Sequence, residues 1–334
     1  MLVLDANYIA GVERVLLNVS AAYRPKCRRI FLGENLTFSQ GWQDWYLWHN
    51  LFRRRDNALQ WGGGFYIDIG TNHPTQATNT LFFDKCLGWE GVCFEPQNKY
   101  HGMISRHRSC KLVPSCVLGS TQSVIFRGYG PAAKLIDVVS SAAPESAVEK
   151  EKHTGRKRCV VAAEALQSLG FHGRQIDLLS IDIEGAESSV LRCWPFEALH
   201  VHAILMETEK YGGEMLALNR FFHRHGYANV ESFSTTMQGN RRAVLTDNLF
   251  VRQNPMPVYP GFRADSYEGR GSCPRGTGLT EHMHFWCAPF LTWEPESKLW
   301  GQCRNASSAQ AGEASTGESA AAIAQERLNL QIKS

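Results

Sequence analysis

Four apolar runs in the middle of the chain end in carboxylates: Asp68 closes 65–69, Glu95 follows 91–94, Asp182 and Glu184 end 176–183, and Glu207 ends 201–207. One acidic run end is ordinary, but several on one sheet edge point to a site. A carboxylate has two acceptor oxygens, which match the two adjacent hydroxyls of a ribose. Glu95 stands where doubly wound folds make that contact, so it is expected to read a nucleoside. Gly70 permits a tight turn after Asp68, and the amides that follow form a positive pole suited to an anionic group. The turn reads Gly70-Thr71-Asn72-His73-Pro74-Thr75, without the second and third glycines that a dinucleotide pyrophosphate needs. A bare carboxylate needs less clearance, which disfavours a nicotinamide dehydrogenase.

The elements that must position these residues alternate. The glycine run 62–64 opens a strand-like composition, and the pattern predicts strands at 65–69, 91–94 and 111–118 with helices at 75–87 and 98–107 between them. After an extra strand at 124–127, residues 128–158 are polar and poorly patterned and read as an irregular excursion over the functional edge. Regular structure resumes with helix 161–169, strand 176–183, helix 186–193, strand 201–207, helix 215–225 closed by Gly226, and strand 243–251. Such alternation implies an α/β fold with a mostly parallel, doubly wound sheet and helices on both faces. Residues 1–61 read as an N-terminal helical extension. Trp45, Trp48 and Phe52, with Leu47 and Leu51, make an apolar face for packing rather than an aromatic ligand platform. The expected division is 1–61, a main domain at 62–255, an irregular Trp- and Cys-rich extension at 256–304 and a disordered tail at 305–334, with a short helix near 323–332.

The 334 residues carry a net charge of +3, 43% hydrophobic and 20% charged residues, which is a globular composition. That balance gives no global field for nucleic acid, and the basic runs 53–55 and 156–158 read as solvated loops. No apolar run approaches the ~20 residues of a membrane span, and residues 1–17 carry Asp5, Glu13 and Arg14 where a signal peptide needs an unbroken apolar core. The default expectation is therefore cytoplasmic, with oligomeric state open. Ten cysteines include no CxxC pair. Cys110 and Cys116 are expected as free thiols, because an extended strand between them holds their Cα atoms about 20 Å apart. Sequons at Asn18, Asn35 and Asn305 would matter only in a secretory lumen. His282, His284 and Cys287 supply metal-ligand types without an evident fourth ligand, so no metal is expected.

Residues 65–74 (Phe65-Tyr66-Ile67-Asp68-Ile69-Gly70-Thr71-Asn72-His73-Pro74), 77–80, 88–96 (ending Phe94-Glu95-Pro96), 176–187 (Ser180-Ile181-Asp182-Ile183-Glu184-Gly185 within it) and 247–252 together resemble the FkbM family of methyltransferases. The resemblance covers about 62–252. It implies a class I Rossmann-like methyltransferase fold, S-adenosylmethionine as cofactor, and transfer of a methyl group to a hydroxyl of a sugar or other small natural product. Thr71, Pro74 and the long 128–158 insert depart from the family pattern and bear on the substrate. By this resemblance Asp68, Gly70 and Asn72 would line the methionine part of the cofactor, Glu95 would hold its ribose, and Cys116 and Val117 would lie near the adenine. Asp182, Glu184 and Glu187 would face the methyl-transfer side, with Asp182 or His73 as base and Glu184 as a base or positioning group. His73 could equally be a loop residue packed on a helix start. The partner would be a small-molecule or carbohydrate acceptor. The rival reading is a non-catalytic member that uses the same fold to bind a nucleoside, glycan or protein.

Overall fold

The computed structural model describes residues 5–54, 62–127, 134–139, 154–171, 173–197, 199–211, 214–236 and 243–253. The expectations for 256–304 and 305–334, including His282, His284, Cys287 and Asn305, lie outside them.

Period-2 alternation in the central strands sends successive side chains to opposite faces, and both faces are buried. Strand β1 (Phe65–Ile69) is buried at every position. It pairs in parallel with β2 (Glu90–Phe94) on one side and β8 (Ile176–Ile181) on the other. Outward from these lie β3 (Lys111–Val113) and β9 (Val201–Glu207), and the sheet order is β10-β11-β9-β8-β1-β2-β3. β11 (Ala243–Arg252) runs antiparallel to β9 and to β10 (Tyr227–Thr236). The strand order reverses between β1 and β8, and the crevice at their carboxyl ends is where such sheets place ligands.

One face, with Phe65, Ile67, Phe94, Leu179 and Ile204, packs against α6 (Ala162–Ser168), α7 (Glu187–Arg192) and α8 (Met215–Arg224). The other, with Tyr66, Cys93, Leu178 and Leu205, is covered by α4 (Leu81–Lys85), α5 (Asn98–His107) and the N-terminal helices. These are α1 (Ala6–Leu16), α2 (Arg24–Phe31) and α3 (Gln43–Tyr46), continued by a π-helical turn at Leu47–Leu51 and a 3₁₀ turn at Phe52–Arg54. Leu47, Trp48, Leu51 and Phe52 are buried, so the aromatic face is core, as its spacing implies.

Several expectations are corrected. The helix expected over 75–87 starts only at Leu81, because Thr80 is held by the Asp68 carboxylate at 2.6 Å and the chain before it turns, with Ala77 at φ 50°. The strand expected over 111–118 breaks at Pro114, which has no N–H to give a ladder. Beyond it β4 (Cys116–Val117) joins a second sheet of order β4-β7-β5-β6. The insert is correspondingly not irregular throughout: β6 (Lys134–Val139) and β7 (Thr154–Val160) flank β5 (Gln122–Arg127) antiparallel, and the basic run at 156–158 lies in β7. β10 was not anticipated. Cys110 and Cys116 do not pair with each other, but neither is free: Cys110 is bonded to Cys93 and Cys116 to Cys159, and a further bridge joins Cys27 to Cys86. No helix among the described residues is long and apolar enough to cross a membrane.

Candidate functional site

The ends of β1, β2 and β8 meet at one cleft, lined by Gly70, Asn72, Glu95, Cys116, Val117, Asp182 and Glu184, with Ser115, Phe126 and Ala186 beside them. Its floor is set by the turn after β1. Gly70 and Thr71 donate their backbone N–H groups to the Phe94 carbonyl, and Asp182 donates to the Ile69 carbonyl, which stitches the three strand ends together. Gly70 has φ 89°, and a Cβ there would stand 1.9 Å from the Asp182 carbonyl oxygen, so only glycine fits. Asn72 follows in the left-handed region at φ 53°, which Asn tolerates better than most residues. One end of its side-chain amide, Oδ1, is buried in the cleft wall without a hydrogen-bond partner.

Glu95 is 1% exposed. Its Oε2 accepts the Asn72 N–H and its Oε1 the Gln97 N–H, both at 2.7 Å. Burial pushes its carboxyl up to about 7, against those two amides, which favour the ionised form.

Asp182 and Glu184 enter the cleft from the β8 turn. Glu184 takes φ 60° and Gly185 φ 102°, and the turn is locked by Glu187, whose Oε1 accepts the Ile183 and Gly185 N–H groups at 3.1 and 3.0 Å. Glu187 is fully buried and its Oε2 accepts the Tyr211 hydroxyl, so it braces the turn instead of lining the cleft. Glu207 and Asp247 stand near Asp182. The protein around Asp182, and then the charges of Glu207, Asp247, Glu184 and Glu187, hold its carboxyl well above the usual range. Asp182 reaches solvent through the cleft, so the carboxylate crowding is the firmer cause. Oxygens of Asp182, Glu184 and Glu207 lie within 4.8 Å of one another, a donor set of the kind that hard divalent cations accept.

Besides Glu187, two further predicted residues are placed elsewhere. The Asp68 carboxylate turns beneath the loop, where it accepts from Thr80 Oγ1 and sits 3.6 Å from Arg108. His73 stays outside the cleft lining. Its Nδ1 accepts the Thr75 N–H at 3.3 Å and its ring lies 6.2 Å from Tyr100 at the start of α5, the loop placement that its position also allowed. Sequence reasoning missed Asp247 and Arg108. Asp247 accepts from Gln43 of the N-terminal cap at 2.6 Å, a pairing with no local signal. Arg108, between α5 and β3, gathers Asp84 (2.6 Å), Thr80 (2.6 Å), Tyr66 (3.1 Å) and Thr78 (3.3 Å) under the Gly70 turn.

Residues 68–228 match the family described as Methyltransferase FkbM domain. No curated protein matches the chain. Among solved structures, a precorrin-6y C5,15-methyltransferase from Geobacter metallireducens is 11% identical with a TM-score of 0.31, covering 57% of this chain and 82% of that one. A putative RNA methyltransferase from Pyrococcus horikoshii is 10% identical with a TM-score of 0.33 (64% and 83% covered). The 1,6-didemethyltoxoflavin-N1-methyltransferase of Burkholderia thailandensis, solved with S-adenosylhomocysteine, is 9% identical with a TM-score of 0.31 (75% and 87% covered). The class I fold is established by the strand order itself, with β11 the antiparallel strand inserted between β9 and β10.

Proposed function

Because residues 68–228 match the methyltransferase FkbM domain, we propose that this chain is an S-adenosylmethionine-dependent methyltransferase acting on a hydroxyl of a sugar or other small molecule. The observation that carries the reading is the Gly70–Asn72 turn over Glu95. It combines a backbone position with no room for a side chain, a buried amide end without a partner, and a carboxylate at the end of the adjacent strand. These fit the cofactor: Glu95 would take the ribose hydroxyls, Gly70 and Asn72 the amino-acid end, and Cys116 and Val117 would border the base.

When bound, S-adenosylmethionine supplies the electrophilic sulfonium methyl. The chain's own task is to orient the acceptor oxygen and take its proton. Asp182, whose carboxyl is raised by burial and by its carboxylate neighbours, would take the acceptor's proton, and Glu184 would hold the acceptor hydroxyl by hydrogen bonding. On the same side Gln43 reaches Asp247, and its neighbour Trp42 is half-buried with φ 69°, a costly conformation for a bulky residue. This part of the cap is a candidate wall for the acceptor. The convergence of carboxylates on the methyl side favours catalysis over a binding-only role.

Calorimetry with S-adenosylmethionine, S-adenosylhomocysteine and NAD tests the cofactor reading. The first two are expected to bind in the micromolar range and NAD not at all. Glu95→Ala should weaken binding by on the order of 2–4 kcal/mol, the worth of two hydrogen bonds to a charged group. Equal affinity for NAD, or unchanged affinity in Glu95→Ala, would sink it. Labelled-methyl transfer into sugars and small alcohols then identifies the acceptor.

A further inference from the structure

Every described cysteine is oxidised: three bridges join Cys27–Cys86, Cys93–Cys110 and Cys116–Cys159, and Cys193 is disulfide-bonded as well. They serve separate parts of the fold. One ties α2 to the end of α4, one joins β2 to the residue before β3, and one pins β4 to β7 at directly paired positions. Bridges spread in this way are typical of chains that mature under oxidising conditions and rare where glutathione and thioredoxin keep thiols reduced.

The helical cap adds an independent observation. Asn18-Val19-Ser20 lies in the connection between α1 and α2, and Asn35-Leu36-Thr37 in the connection between α2 and α3. In both, the asparagine is exposed and its side-chain amide makes no hydrogen bond among the described residues, while another residue of the sequon is anchored. Val19 is buried in the core, and Thr37 donates to the buried Asp44 carboxylate. Asn18 also opens onto a cavity of about 600 Å³, away from the carboxylate cleft, whose walls include Arg14, Ser20, Lys85, Arg106 and His107. There is polar space beside it for attached sugars. Neither asparagine belongs to the cleft described above.

We propose that this chain folds in an oxidising compartment and carries N-linked glycans on Asn18 and Asn35 of its helical cap. Each bridge forms as two thiols lose two protons and two electrons to a disulfide-bearing oxidoreductase, by thiol–disulfide exchange. At each asparagine an Nδ2–C1 bond forms as the amide gives up a proton and the diphosphate of an activated oligosaccharide donor leaves with the electron pair of the C1–O bond. Placement on the cap keeps both glycans off the carboxyl ends of β1, β2 and β8.

The test uses the full-length protein purified from the cells that make it. Thiols are alkylated before and after reduction, and peptides containing Asn18 and Asn35 are analysed by mass spectrometry after peptide N-glycosidase treatment in heavy-oxygen water. We expect Cys27, Cys86, Cys93 and Cys110 to be alkylated only after reduction, and both asparagines to appear as heavy-oxygen-labelled aspartate. Alkylation of those cysteines without reduction, or an unlabelled asparagine at either position, overturns the proposal. Asn18→Gln and Asn35→Gln, produced in the same cells, should each lose one glycosidase-sensitive step in gel mobility. An unchanged mobility pattern in either variant overturns that site.

Discussion

A carboxylate has about four lone-pair sites, so Glu95, with one backbone N–H on each oxygen, keeps acceptor capacity for a ribose diol. The ionised form accepts those hydroxyls more strongly than the protonated form. With the carboxyl pushed up to about 7 by burial, affinity for S-adenosylmethionine is predicted to rise as pH passes from about 6 to about 8, and Glu95→Gln to flatten the profile. Calorimetry across that range checks it; a flat profile in the unmodified protein would remove Glu95 from the ribose. The stability of the unliganded chain should move the other way. Between the ordinary 4.5 and about 7 the folded chain holds a proton that the unfolded chain has released. This contribution is complete below about 4.5 and lost as pH rises through about 7. Gly70→Ala is predicted to abolish cofactor binding and to cost roughly 1–3 kcal/mol or more in stability, since strain at φ 89° adds to a clash with the Asp182 carbonyl. Denaturant titration beside calorimetry measures both. At the methyl side, Asp182→Asn is expected to retain cofactor affinity and lose about 100-fold or more in turnover if its base role holds. Full activity would leave Glu184 as the residue to replace next.

The β1–α4 connection shows what an element needs beyond its own pattern. The apolar residues of 75–87 permit a helix, but the buried set of Asp68, Thr80, Asp84 and Arg108 draws 71–80 into a turn and lets the helix begin at Leu81. Arg108 is itself buried, and removing one partner of such a group leaves charges without compensation. Arg108→Ala is therefore predicted to cost about 3–5 kcal/mol and to weaken cofactor binding through the loosened Gly70 turn. Thermal melts with and without S-adenosylmethionine test it. A variant with unchanged stability would show that Arg108 does not brace the loop.

Across the whole molecule, the N-terminal cap is part of the same core as the sheet. Tyr8, Phe31, Trp48 and Phe52 pack in one cluster with Tyr66, Leu178 and Leu205, and Cys27–Cys86 closes a separation of 59 residues. In the chain-entropy account a loop of that size contributes about 4 kcal/mol. A Cys27→Ser, Cys86→Ser double variant should lose roughly that much in denaturant titration, with the cap loosened first in hydrogen exchange. Equal protection of α1 and α2 in the variant and the parent would refute a clamping role.

What could be read from the chain alone was local. Period-2 and 3.6-residue patterns need only near neighbours, so β1, α5 and β9 lie at their expected positions, and so does the cluster of acidic strand ends with its Gly70 turn. Tertiary structure decided whatever depended on a distant partner. Asp68 and Asp182 look alike as strand-end carboxylates, yet Arg108 and Thr80 claim the first, while the second lines the cleft among the carboxylates of Glu184, Glu207 and Asp247. The same holds for the β3–β4 break, the second sheet built from a stretch read as irregular, the pairing of Cys93 with Cys110, and Gln43 meeting Asp247 across 204 positions. A residue's type limits the bonds it can make, but which of them it does make depends on what folding brings within a few ångströms, and no short window of sequence contains that.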